Sequence, residues 1–235
     1  MTIFKLKNTY TIFMNYKQLI SWHVIALAVF SFTYTESCLA ADILVIDSMD
    51  RPSKNNLGGR NSVYQKPPSR ALYMKSKHIG KGPENFGLKI RYDKKSEGGP
   101  HGAGGWCGFY TLLSTSTGFL DASEYNYLSF WVKGEKGGEN FKVGIADERL
   151  EKLGDSMKSK IVTEYLPEGE ITQQWQRAVI PVQEWYVDWK SLHAIAIAFE
   201  STAFVNLGGN GTVYIDDIAF LKDLPADMGN NFIIK

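Results

Sequence analysis

One stretch near the C-terminus, Gly211-Thr-Val-Tyr-Ile-Asp-Asp-Ile-Ala-Phe220, constrains the fold of this chain more than any other. It has the composition of a strand, yet two adjacent carboxylates interrupt it. Strict alternation puts Val213, Ile215, Asp217 and Ala219 on one face and Tyr214, Asp216, Ile218 and Phe220 on the other. Whichever face is the core, a charge is then buried. One extra residue at the Asp pair removes the conflict, because Val213 and Ile215 stay inward and Ile218 and Phe220 rejoin them beyond a β-bulge. The stretch therefore predicts a core half, an acidic break and a second core half.

The rest of the chain reads as short strands separated by Gly, Pro, Asn and Asp. After a first strand at 43–46 and a turn-rich stretch at 50–59, strands are expected at 71–75, 86–92, 108–113, 127–133, 141–146, 161–165, 176–181 and 194–200. Such spacing points to an all-β sandwich or barrel. One short helical turn fits 183–191, and no long amphipathic helix appears.

Three of these strands have a bulky face and a face of small residues. Ile195, Ile197 and Phe199 oppose Ala194, Ala196, Ala198 and Glu200; Val143 and Ile145 oppose Lys142, Gly144 and Ala146. Leu128, Phe130 and Val132 oppose Tyr127, Ser129, Trp131 and Lys133. As neighbours, their second faces would form a shallow floor, open to an extended ligand or covered by the segment 158–165. Aromatic rings are the natural furniture of such a floor, since a planar ring stacks on the apolar face of a sugar. Most aromatics in a domain of this size pack the core. The candidates for stacking are Trp106, Tyr110, Tyr127 and Trp131, with Asp147, Arg149 and Glu200 to bond hydroxyls.

Length and charge bound the setting. Lys5, Lys7 and Lys17 precede an apolar run over 24–32 and the small residues Ser37-Cys-Leu-Ala-Ala41. This is the pattern of a cleaved signal peptide over 1–40, because the apolar run is short for a membrane span of about 20 residues. The expectation is a secreted or periplasmic protein with no stable membrane insertion after cleavage, one domain over 41–224 and a tail over 225–235. Basic and acidic residues number 26 and 25, with no basic stripe along the sequence, so nucleic acid is not an expected partner. Cys107 is the one cysteine beyond the leader, which leaves no internal disulfide.

Motifs for catalysis are weak. Glu97-Gly-Gly-Pro-His-Gly-Ala-Gly-Gly-Trp-Cys-Gly108 is glycine-dense, but Trp106 and a strand follow it where a phosphate loop needs Gly-Lys-Ser/Thr and a helix. His78, His101 and His193 are isolated. The Asp216–Asp217 pair has three readings: a surface turn, a calcium site or a catalytic pair. Glycoside hydrolysis needs carboxylates facing each other across roughly 5–9.5 Å, whereas sequence neighbours on a strand point apart. Calcium needs several oxygens, and Asp47 and Asp50 become companions if the first and last strands are adjacent.

Several segments together resemble a known family. Ile46-Asp-Ser-Met-Asp50 with Asn55-Asn-Leu-Gly-Gly59, Leu128-Ser-Phe-Trp-Val-Lys-Gly134, Val179-Ile-Pro-Val182 with Trp185 and Leu192, and Tyr214-Ile-Asp-Asp-Ile218 follow the order found in galactose-binding-like jelly rolls. Family 11-like carbohydrate-binding modules and complex I intermediate-associated protein 30 domains are the groups the chain resembles. The resemblance implies an all-β jelly-roll β-sandwich and a glycan groove. It also implies a structural calcium held by Asp50, Asp47 and Asp216, although Asp50 stands where the family often has Glu. The expected function is non-catalytic binding of a polysaccharide or oligosaccharide, not enzymatic. The alternative is a protein-interaction module with an envelope protein as partner.

Overall fold

The computed structural model describes residues 43–99, 101, 104–113 and 118–225. The leader expected over 1–40 and the tail beyond 225 lie outside the described residues. The chain forms β1 (Ile43–Asp47), β2 (Asn61–Gln65), β3 (Arg70–Lys77), β4 (Phe86–Lys94), β5 (Trp106–Leu112), β6 (Tyr127–Gly134) and β7 (Lys142–Asp147). A short helix α1 (Glu148–Leu153) follows, then β8 (Met157–Ile161), β9 (Gln176–Pro181), β10 (Leu192–Glu200) and β11 (Gly209–Leu221). Two antiparallel sheets result. One has the order β3-β4-β11-β6-β9 with β1 also beside β11; the other has the order β2-β5-β10-β7-β8. This is the expected all-β sandwich.

Strand β11 lies at the heart of the first sheet and carries the bulge. Its first half pairs with β4 from Gly209 to Ile215, and its second half pairs with β1 from Ile218 to Leu221. On its other edge, Asp216 lies opposite Trp131 and Ala219 opposite Ser129, so β11 holds one residue more than β6 between these points. Asp217 absorbs it at a positive φ of 50°, the left-handed region that Asp tolerates better than most residues. Val213, Ile215, Ile218 and Phe220 consequently all reach the core.

The core is filled by aromatic and branched side chains from both sheets. Tyr92 on β4 stacks on Phe199 of β10 with ring centroids 3.8 Å apart. Tyr73 on β3 meets Phe109 of β5 edge-on at 5.2 Å.

Two expectations about elements are corrected. The strand placed at 161–165 ends at Ile161, and Val162–Tyr165 is a 3-10 turn with Val162 and Tyr165 buried. Their three-residue spacing suits that helix, whereas a strand would need a period of two. Strand β2 and helix α1 were not expected. Gly154 ends α1 at φ 66°, and the side chain of Asp147 accepts from Leu150 N at its start.

Both ends of the Asp pair's neighbourhood are buried. Asp47, at the end of β1, is fully buried between the sheets and accepts from Lys75 Nζ of β3 at 2.6 and 2.8 Å. Met49 N donates to it at 2.9 Å and Asn61 Nδ2 of β2 at 3.4 Å. Asp216 is 2% exposed and accepts from Lys81 N and Asp217 N, each at 2.9 Å. Burial, with Asp217 and Asp50 nearby, pushes its carboxyl up to about 6.

Two tests of stability follow from these carboxylates. Lys75→Met leaves Asp47 uncompensated, and its expected cost is about 3–5 kcal/mol in chemical denaturation. The double change Asp47→Leu with Lys75→Met should recover most of that loss; failure to recover it would assign the effect to lost lysine packing. Asp216 holds its proton more tightly in the folded state than in the unfolded chain. Its contribution is therefore fully present below about pH 4 and is lost as pH rises through about 6. Asp216→Asn should flatten that fall in melting temperature while keeping an acceptor for Lys81 N. A wild-type melt that rises across the same window would contradict it.

Candidate functional site

The outer face of the five-stranded sheet is assembled from alternate residues of its strands. Strand register places Tyr64 opposite Gly108, Tyr110 between Ser62 and Ala196, and Trp106 opposite Glu200. Gly144 and Ala146 of β7 continue the row beside Ala196 and Ala194. Trp106 is 42% exposed. Its ring lies 5.7 Å from that of Tyr64 at 42°.

Glycine at position 108 is a spatial requirement. An added Cβ would stand 2.2 Å from Ile197 O and 2.6 Å from the Tyr64 ring. Tyr64 thus lies flat across the floor, and its hydroxyl donates to Ile197 O at 3.5 Å. Burial, with the Glu200 carboxylate nearby, raises its pKa, so it remains a neutral donor. Gly144 plays the same part, because its Cβ would meet Ser156 Oγ at 2.6 Å and Lys158 Cδ at 3.2 Å. Lys158 Nζ lies 3.4 Å from Glu200 and 3.2 Å from Asp155, and donates to Ser156 O at 2.8 Å. The floor is therefore partly covered by the Tyr64 and Lys158 side chains. The backbone of 158–161 does not lie over it, since β8 extends the sheet as an edge strand, and from the expected covering segment 158–165 it is the Lys158 side chain that reaches the floor.

The structure separates the residues that the sequence grouped. Trp106, Tyr110 and Glu200 share this face. Asp147 and Arg149 lie at the far end of β7 beside a cavity of about 520 Å³, which Tyr186 and Asp188 also line. There Asp147 is a helix cap, accepting from Leu150 N at 2.8 Å and Asp188 N at 2.9 Å. Arg149 Nη2 stands 3.6 Å from it.

Tyr127 and Trp131 belong to β6, which pairs with β11 and β9 in the other sheet. The single floor built from β6, β7 and β10 as neighbours is thus corrected, because only β7 and β10 are adjacent. Trp131 also carries Lys81 Nζ 4.0 Å above its ring, with the Arg177 guanidinium at 6.0 Å. Tyr64 is not among the residues the sequence singles out, and Lys158 enters there only as the first residue of the covering segment 158–165. The alternation Asn61-Ser-Val-Tyr-Gln65 was the available signal for the first, and no local pattern marks the second.

The calcium set does not assemble as the resemblance implies. Among the described residues, no group of three or more His, Cys, Asp or Glu side chains comes together to hold a metal. Asp47 is already neutralised by the Lys75 ammonium at 2.6 Å, and both carboxyl oxygens of Asp216 accept backbone N–H groups. Asp47, held by an ammonium, does not fit a calcium shell, whereas each Asp216 oxygen keeps a lone pair beyond its one N–H.

An exposed tryptophan on a floor of small residues, flanked by tyrosines and a charged pair, can bind a planar-faced polar ligand. The two carboxylates at its edge, Glu200 and Asp155, are both held by Lys158 Nζ. Comparisons with known proteins agree. Carbohydrate binding domain 30 matches residues 66–222. Comparison with curated proteins returns no significant sequence match.

Among solved structures, a family 11 carbohydrate-binding module of a cellulosomal cellulase from Clostridium thermocellum superposes with a TM-score of 0.54 at 14% identity. The match covers 79% of this chain and 98% of that one. A family 30 module of a second cellulosomal cellulase from Clostridium thermocellum gives 0.51 at 20% identity, covering 78% and 99%. At these identities the superpositions establish the fold, and the profile match establishes kinship. With about two thirds of its length inside that match, the chain belongs to the carbohydrate binding domain 30 family, and its β-sandwich is a non-catalytic carbohydrate-binding domain.

Proposed function

We propose that the outer face of the five-stranded sheet is the glycan-binding surface, with Trp106 as its stacking platform. The observation that carries this reading is the 42% exposure of Trp106 on a sheet face whose small residues, Gly108, Gly144, Ala196 and Ala198, are buried, the glycines under Tyr64 and Lys158. A large ring left in water beside half-buried Tyr64 and Tyr110 supports a ligand that stacks on it. Tyr64 holds the ring from one side, and Tyr110, Ser62 and the Lys158–Glu200 pair supply groups for hydroxyls. Such a preformed site, apolar with a few placed polar groups, is the usual build of a ligand surface.

The charges on this face compensate one another, since Lys158 lies between Glu200 and Asp155 and Lys142 stands on the same face, opposite Ala198. A neutral glucan is therefore the ligand we assign. One family 11 module that this chain resembles in fold was solved with a β-1,3-1,4-mixed-linked tetrasaccharide, and a mixed-linked β-glucan is the first probe to use. We place the protein outside the cytoplasm, on the strength of the leader pattern over 1–40. No helix among the described residues is long and apolar enough to cross a membrane.

Affinity electrophoresis in gels containing mixed-linked β-glucan tests the site. Trp106→Ala should weaken retention by about tenfold or more, as loss of a central aromatic anchor does. Its melting temperature should stay near that of the wild type, because the ring is exposed. Retention equal to that of the wild type would remove this face from consideration. A chelator should leave wild-type retention and melting unchanged, and a drop in either would restore a metal to the account.

A further inference from the structure

The opposite outer face, on the six-stranded sheet, has different chemistry. Register aligns Met74, Lys89, Tyr214 and Lys133 in one row across β3, β4, β11 and β6. Lys133 Nζ stands 5.1 Å from the ring centroids of both Tyr214 and Trp175, and Lys89 Nζ stands 5.4 Å from Tyr214. The next row carries Arg91 between Leu72 and Thr212. A cavity of about 340 Å³ opens here, lined by Lys89, Arg91, Lys136, Glu135 and Thr212 among others.

Cations on this face are spaced by rings more than by carboxylates. Glu135 stands 3.5 Å from Lys89. Among the described residues, Arg91, Lys133 and Lys136 have no carboxylate within ion-pair distance. An ammonium over a ring keeps its full charge, because the quadrupole attracts without neutralising. The strands are about 4.8 Å apart and same-face residues about 6.6 Å apart along them. Such an array of positive charge, with Lys89 and Lys133 on either side of Tyr214, suits a polymer with one carboxylate on each repeating sugar, and the half-buried rings of Tyr214 and Trp175 can meet the sugar rings between the charges.

We propose that this face is a second binding surface, for an acidic, uronate-bearing polysaccharide. It is independent of the Trp106 face: the two lie on opposite sides of the sandwich, one charge-compensated and one cationic. A protein built this way would bridge a neutral and an acidic glycan.

The test uses the intact protein with polygalacturonate as the probe, mixed-linked β-glucan as the neutral control and a single-stranded oligonucleotide as the competing polyanion. Polygalacturonate should bind at low ionic strength. It should weaken by about tenfold in the double variant Arg91→Glu with Lys133→Glu, the combined loss of two exposed ion pairs and their reversal. Binding should also weaken as salt rises from about 0.05 to 0.2 M, where the screening length shortens. Retention on β-glucan should be the same in this variant as in the wild type. If the reversal lowers the melting temperature sharply, Arg91→Gln with Lys133→Gln replaces it and should give the same order of effects. Absent binding to polygalacturonate, binding unaltered by either double variant, or loss of binding on Trp106→Ala would each overturn the proposal. So would tighter binding of the oligonucleotide than of polygalacturonate.

Discussion

A single ion pair inside the sandwich, Asp47 with Lys75, fixes which strands meet. Removing two charges from water costs several kcal/mol each, and their attraction offsets this only when the remaining polar atoms are also satisfied. Here the pair's own atoms are, and the Asn61 Oδ1 beside them is buried without a partner. Asp47 accepts from Lys75, Met49 N and Asn61 Nδ2, and Lys75 also donates to Lys54 O at 3.3 Å. The three side chains come from β1, β3 and β2, so both sheets contribute. An alternative register for β1 would leave a bare carboxylate in the core. With β1 held, the second half of β11 has its neighbour, and the first half is left to β4. The bulge at Asp217 is where β11 passes from one partner to the other.

Much of this was legible in the sequence, for a physical reason. Strict alternation would turn one of two adjacent carboxylates into the core, so the Asp216–Asp217 break had to be a bulge, and the four core residues around it followed; Asp216 is buried all the same, held by the backbone N–H groups of Lys81 and Asp217. The bulky faces of β6, β7 and β10 were legible by the same alternation. What alternation does not carry is adjacency. β6 and β10 have the same alternation of a bulky face with a face of small, aromatic or charged residues, yet they belong to different sheets. Tyr127 and Trp131 were therefore grouped with residues on the far side of the molecule. Asp47 was assigned to calcium because its counter-ion lies 28 residues away, with nothing local to announce it. Tyr64 was lost with its strand, which sits between a turn-rich stretch and the Pro67-Pro68 pair.

The two outer faces show how one architecture separates two chemistries. On the five-stranded sheet, glycines at 108 and 144 let Tyr64 and Lys158 lie flat, and Lys158 is placed between two acids. The result is a smooth, charge-compensated surface with one exposed indole. On the six-stranded sheet, the outward positions carry long cations separated by Tyr214, Trp175 and Trp131. Aromatic spacers hold these cations apart without neutralising them, and a carboxylate in the same position would have done both. The chain's net charge of +1 conceals this, because several of its acids are elsewhere, in the core at Asp47, under the β3–β4 connection at Asp216 and around Lys158, while Glu135 and Asp93 pair with Lys89 and Lys95 at the edge of the cationic rows. Composition averages over both faces, whereas a ligand meets only one, so the distribution of charge between the faces decides what each can hold.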